Sequence, residues 1–320
     1  MRAAIAWPLL LPLLPLLGQG CAGLPEAPPG AERSMAERVA AEGVVALPLT
    51  IRQGYPLAAG TVNGRAGHFM LDTGTPFRFF LNHRFAPVAV GPEVGRGQAD
   101  SGQPIVVRPA HDVTSLTLGG MSEIGGSRAL QPARPDPAAG LVAADFGFLQ
   151  AGPVPDFLGF VGAPWLSTWA FSLRYSPARW LMADAGAGAE RLLAGSDRVA
   201  LVHLEGQDGP LPYATFHLDG VPLRVRFDTG TPGALQLSAE RRAQLERTGA
   251  LRCQTGTPQE PERCQVTGLR YGAAALEMDA IATSTGPVDR MTLGAALLAR
   301  YVSVWNLSRS TIDLRRDTAP

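Results

Sequence analysis

Apolar residues in this chain come in short runs, and the clearest of them alternate with polar positions. Phe69 and Leu71 alternate with His68 and Met70, and Val225 and Phe227 alternate with Arg224 and Arg226. A period of two is the mark of a β-strand. Ahead of each run stands a two-residue turn signal, Asn63-Gly64 and Asp219-Gly220, of the kind that closes a tight hairpin. Each run therefore reads as the second strand of a β-hairpin. The 37 Gly and 28 Pro among 320 residues favour many short strands and turns over long helices.

The two runs belong to a repeat. GTVNGRAGHFMLDTGTP lies over FHLDGVPLRVRFDTGTP without a gap, which sets Asp72 on Asp228. A second block repeats further on: GAPWLSTWAFSLRYSPARWL, from residue 162, lies over GAALLARYVSVWNLSRSTID, from residue 294. Each half is expected to run hairpin, DTG, variable middle, apolar-Gly, short helix (around 166–169 and 297–301), then two strands (170–175 and 180–182; 302–307 and 311–314). This is an internal duplication of a small β unit. We place the first lobe at 44–183, a linker at 184–198 and the second lobe at 199–317. A single core rarely grows past about 250–300 residues, so two lobes also suit the length.

The N-terminus has a different texture. One Arg, an apolar run from Ala3 to Leu17 and then small residues give residues 1–21 the layout of a secretory signal. Cys21 follows a small residue, as at a bacterial lipoprotein processing site; ordinary cleavage near the same point would remove it. Residues 22–43 are assigned as a tether, on the Pro, Ala and Gly of its first part. The expected location is the periplasm or the outer membrane, with membrane contact only through a lipid on Cys21.

Charge adds little. The 28 basic residues are all Arg and balance 28 acidic ones, and no basic run marks a nucleic-acid surface. Apart from Cys21, the cysteines are Cys253 and Cys264, flanking a polar Pro- and Gly-containing loop. In an oxidising compartment such a pair forms a disulfide, worth about 2–3 kcal/mol for a loop this short; two free thiols are the alternative. The five His residues are scattered, with no paired spacing that would hold a metal, so neither a metal nor a cofactor is expected. Neither GxSxG nor SxxK occurs.

The repeated DTGTP carries the chemistry. A strand ending in Asp-Thr-Gly turns sharply and presents a carboxylate in a fixed direction. Two such loops about a pseudo-twofold axis would set two carboxylates face to face. Like charges that close cannot both ionise easily, so the pair shares one proton and can serve as base and acid together.

Two D-T-G-T motifs, each followed by an apolar-apolar-Gly segment (Phe160-Val161-Gly162 and Thr292-Leu293-Gly294), resemble the pepsin-like and retropepsin-like aspartic proteases, over nearly all of 44–315. The resemblance implies a mostly β fold of two pseudo-twofold-related acid-protease-type β-barrel lobes with short helices. It implies Asp72 and Asp228 as the catalytic dyad. Thr73 and Thr229 would bridge the two loops, Gly74 and Gly230 would shape them, and Thr75 and Thr231 would hydrogen-bond the carboxylates, giving a near-symmetric site. It also implies a flap within 91–118, in the Gly-rich style of Gly95, Gly97 and Gly102, and a stapled counterpart at 250–272. The expected partner is an extended polypeptide substrate. One chain then holds both halves of the site, and a monomer suffices. The competing reading is a non-catalytic envelope protein that binds with the same lobes.

Overall fold

The computed structural model describes residues 33–99, 102–124, 140–194, 196–205, 211–254, 262–276, 278 and 281–317. The proposed signal, Cys21 and residues 22–32 of the tether lie outside them. Among the described residues no helix is long and apolar enough to cross a membrane.

The two halves fold the same way. In the first, the strand Arg65–Asp72 pairs antiparallel with Tyr55–Val62 and parallel with Phe157–Gly162. Phe157–Gly162 runs antiparallel to Phe79–Asn82, which lies parallel to Leu141–Ala144. In the second half, Val221–Phe227 pairs antiparallel with Tyr213–Leu218 and parallel with Arg290–Leu293. Arg290–Leu293 runs antiparallel to Gly233–Leu237, which lies parallel to Ile281–Thr285. The turn signals act as expected: Asn63 and Asp219 take φ 47° and 52°, and the following glycines φ 79° and 80°. The result is a mostly β chain of two lobes related by a pseudo-twofold axis.

A six-stranded antiparallel sheet joins the lobes. Its order is Val44–Leu47, Ala178–Asp184, Trp169–Tyr175, Val302–Asn306, Thr311–Asp317 and Ser196–His203, so both halves contribute. At its centre Ser172 pairs with Val304, its own counterpart in the repeat. The local twofold therefore passes through that pair. Phe171 stacks on Trp305 at 5.5 Å between centroids, and Trp305 meets Phe227 edge-on at 5.9 Å. One apolar core runs through both halves, from Leu71, Trp165 and Phe171 to Phe227, Leu293 and Trp305. A second cluster, with Leu57, Met70, Phe80, Phe146 and Phe160, belongs to the first lobe alone.

Several boundaries differ from the sequence reading. The tether does not reach residue 43: Met35–Glu42 is a helix that buries Met35 and Val39 against the fold. Ser34 caps it and Glu37 reaches back to the Ser34 N–H, a reciprocal capping box. The stretch 184–198 is more than a linker, since it holds the helix Ala189–Leu192 and the start of the last strand of the shared sheet. The short helices are Ala163–Leu166 and Ala295–Leu298, three and two residues earlier than expected, each opening directly after the repeated Gly. Trp165 and Trp180 are buried as core, while Trp169 is half-buried.

Trp305 is fully buried at the seam and its indole N–H donates to Ser303 Oγ at 2.8 Å. Trp305→Ala is expected to cost about 3–5 kcal/mol in denaturant unfolding. A loss under about 1 kcal/mol would show that the seam is not a shared core.

Candidate active site

Each Asp is delivered by the end of a strand. Asp72 closes Arg65–Asp72 in register with Gly162 of the parallel neighbour. Asp228 follows Val221–Phe227, and its N–H donates to Leu293 O at 2.8 Å. Both carboxylates fold back on their own turns, accepting from Gly74 N–H at 2.7 Å and Gly230 N–H at 2.9 Å.

The two loops interlock through their threonines. Thr73 Oγ1 accepts from Thr229 N–H at 3.1 Å and donates to Phe227 O at 3.2 Å. Thr229 Oγ1 accepts from Thr73 N–H at 3.1 Å and donates to Leu71 O at 2.7 Å. Both residues are fully buried, so these four bonds satisfy groups that water does not reach.

The interlock brings the carboxyls together. Asp72 and Asp228 are side-chain hydrogen-bond partners. Both glycines are required by this approach: a Cβ at Gly74 would collide with the Asp228 carboxylate, and one at Gly230 would lie 2.6 Å from Asp72 Cγ. Burial holds the Asp72 carboxyl above the ordinary carboxylate range, against hydrogen bonds from Thr75, Asp228 and Gly74 and the charge of Arg226. Tyr55 and Tyr175 stand close enough that Asp228's charge adds to burial in raising their phenols.

The expected symmetry breaks at the outer oxygens. Thr75 Oγ1 donates to Asp72 Oδ2 at 2.6 Å. Thr231 does not do the same for Asp228; its hydroxyl accepts from Gly233 N–H at 3.2 Å. Asp228 Oδ2 is met by the Arg226 guanidinium at 3.0 Å instead. A charged donor there favours the ionised form of the carboxylate it meets, and the same guanidinium also pulls the Asp72 carboxyl down. The repeat places Met70 opposite Arg226, and Met70 is fully buried. Arg226 is the site residue the sequence reading missed. Its signal was its place two residues before Asp228, on the same face of the strand.

The surroundings divide unevenly. The hairpin Gly95–Gln98 and Pro104–His111 lies where the flap was expected, with Gly95 opposite Val107 and Gly97 opposite Ile105. Its tip, residues 100–101, lies outside the described residues. A cavity of about 520 Å³ opens beside it, lined by Gln103, Val106, Arg108, His83 and Phe148, and includes neither Asp. In the second lobe, Cys253 and Cys264 sit opposite each other in a hairpin and are bonded. Glu262 lies beside them, paired with Arg242 at 2.8 Å, so no free thiolate is left for a metal. The disulfide is consistent with an exported protein.

No family model matches the chain, and no curated protein matches it. Among solved structures, the crystal structure of basic 7S globulin from soybean is similar at 12% identity and a TM-score of 0.49, over 85% of this chain and 95% of that one.

Thr73→Val and Thr229→Val each strip partners from a buried N–H and a buried C=O. Each is expected to lower stability by about 1–3 kcal/mol per orphaned group, read from denaturant midpoints, with similar losses on the two sides. Asp72→Asn tests the raised carboxyl. The unfolded chain ionises Asp72 in the ordinary range and the folded chain resists doing so, so wild-type stability falls as pH rises through the raised pKa. The Asn variant should therefore gain melting temperature over wild type at pH 7, and the gain should vanish near pH 3. A gain independent of pH would refute burial as its cause.

Proposed function

We propose that this chain is an aspartic endopeptidase that works as a monomer, exported to the bacterial envelope and held there through Cys21 where that residue is lipidated. The observation that carries the reading is the pair of buried carboxyls, Asp72 and Asp228, hydrogen-bonded across two interlocked DTGT loops. One carboxylate of the pair takes a proton from a water held between the two side chains. The other carboxyl holds the proton that polarises the substrate carbonyl. Attack of the water oxygen on the carbonyl carbon gives a tetrahedral diol. Transfer of a proton to the amide nitrogen and cleavage of the C–N bond then return a carboxyl and an amine. Two carboxyls and a water supply this without a nucleophilic side chain.

Arg226 also favours the second reading, a cleft that binds peptides without turnover. Its ion pair engages an oxygen that the attacking water would use. The two readings part in one experiment. The full chain, Asp72→Asn and Asp228→Asn are incubated with a peptide library, with and without pepstatin. The peptidase reading expects cleavage by wild type, a fall of at least about 100-fold in both variants, and inhibition by pepstatin. Full activity in either variant would end it; binding without cleavage by wild type would establish the alternative.

A further inference from the structure

The faces on either side of the dyad carry opposite chemistry. Alternate residues of a strand share a face, so Met70 lies on the face of Asp72 and Arg226 on that of Asp228. In the first lobe, Met70 stands between Leu57 and Phe160, with Phe80 beyond Phe160. The same ladder positions in the second lobe hold Arg226 between Tyr213 and Thr292, with Ala234 beyond. Every large apolar side chain of the first set is replaced.

Exposure follows the chemistry. Leu57, Met70, Phe80 and Phe160 are buried in one cluster, with Ile105 and Val107 of the flap-position hairpin packed on it. Across the axis Tyr213 and Thr292 are half-buried, Ala234 is exposed and the Arg226 side chain is 20% exposed. Of the neighbouring cations, Arg224 is held by Glu205 at 2.8 Å and lies over the Tyr213 ring. Arg226 is thus the cation set against the reacting pair. A guanidinium carries five donors in a fork and can serve more than one carboxylate at once. Arg242 of this same chain serves Glu246 and Glu262 together, at 2.9 and 2.8 Å.

An extended peptide crossing the axis sends the side chains flanking the central bond toward opposite lobes. We propose that Arg226 is a specificity-determining residue and that the site selects a bond flanked by an apolar residue on the first-lobe side and an acidic residue on the second-lobe side. The proposal rests on the peptidase reading for cleavage, though not for binding.

The test uses fluorogenic peptides with Phe on one side of the central bond and Glu, Gln, Lys or Leu on the other, in both orders, with the full chain. In one of the two orders Glu should exceed Gln by about tenfold in kcat/KM, about 1.4 kcal/mol, with Lys poorest. Arg226→Met, which copies the first lobe, should bring Glu and Gln within about twofold and improve Leu. Arg226→Lys should keep the order Glu over Gln, which guards against a variant that merely misfolds. Equal use of Glu, Gln and Leu by wild type would overturn the proposal. Calorimetric binding of the same peptides to Asp72→Asn separates the two claims. If nothing is cleaved, the peptidase reading fails, and the proposal still stands or falls on whether Glu binds more tightly than Gln and loses that advantage in Asp72→Asn/Arg226→Met.

Discussion

Four hydrogen bonds between two threonine hydroxyls and the opposing backbone fix everything else in this molecule. They hold Thr73 and Thr229 against each other where water is absent, and each hydroxyl both donates and accepts. A buried donor or acceptor without a partner costs more than a made bond gains, so the loops have one low-energy way to meet. That meeting places the carboxyls side by side and demands glycine at residues 74 and 230. The six-stranded sheet and the Phe171–Trp305 stack then hold the strands behind the loops in line.

Within that symmetric frame the electrostatics are lopsided. Asp72 is surrounded by neutral donors and an apolar cluster, whereas Asp228 faces a guanidinium. The same two positions in a repeat are therefore not chemically equivalent. A carboxyl in a dry setting keeps its proton, and one beside a cation gives it up. The difference lies two residues upstream of each Asp, Met70 in one case and Arg226 in the other.

Much of this was legible because it was local or repeated. Asn63-Gly64 and Asp219-Gly220 announced the hairpins, the doubled DTGTP announced two loops, and Cys253 and Cys264, flanking a polar loop, suited a disulfide. What was missed was non-local or masked by composition. Arg226 reads as an outward residue of an alternating strand, and only the fold shows that outward, at that end, means toward the site. Thr231 follows the same DTG as Thr75, yet its hydroxyl accepts from Gly233 N–H while Arg226 meets the outer oxygen of Asp228. The four-residue helices after Gly162 and Gly294 are too short to show a period. The helix at Met35–Glu42 was hidden by the Pro-rich stretch before it, although Ser34 and Glu37 carried its start signal.

The pairing of Ser172 with Val304 has a consequence for how such a chain diverges. A strand that meets its own counterpart is what two identical chains would use to form a symmetric dimer, and in such a dimer every substitution appears twice. A cation beside one carboxyl would then stand beside both. Joining the two units in one polypeptide lifts that restriction, because each side can change while the other is held. The contrast between Met70 and Arg226 is a difference that only a covalently fused pair can keep.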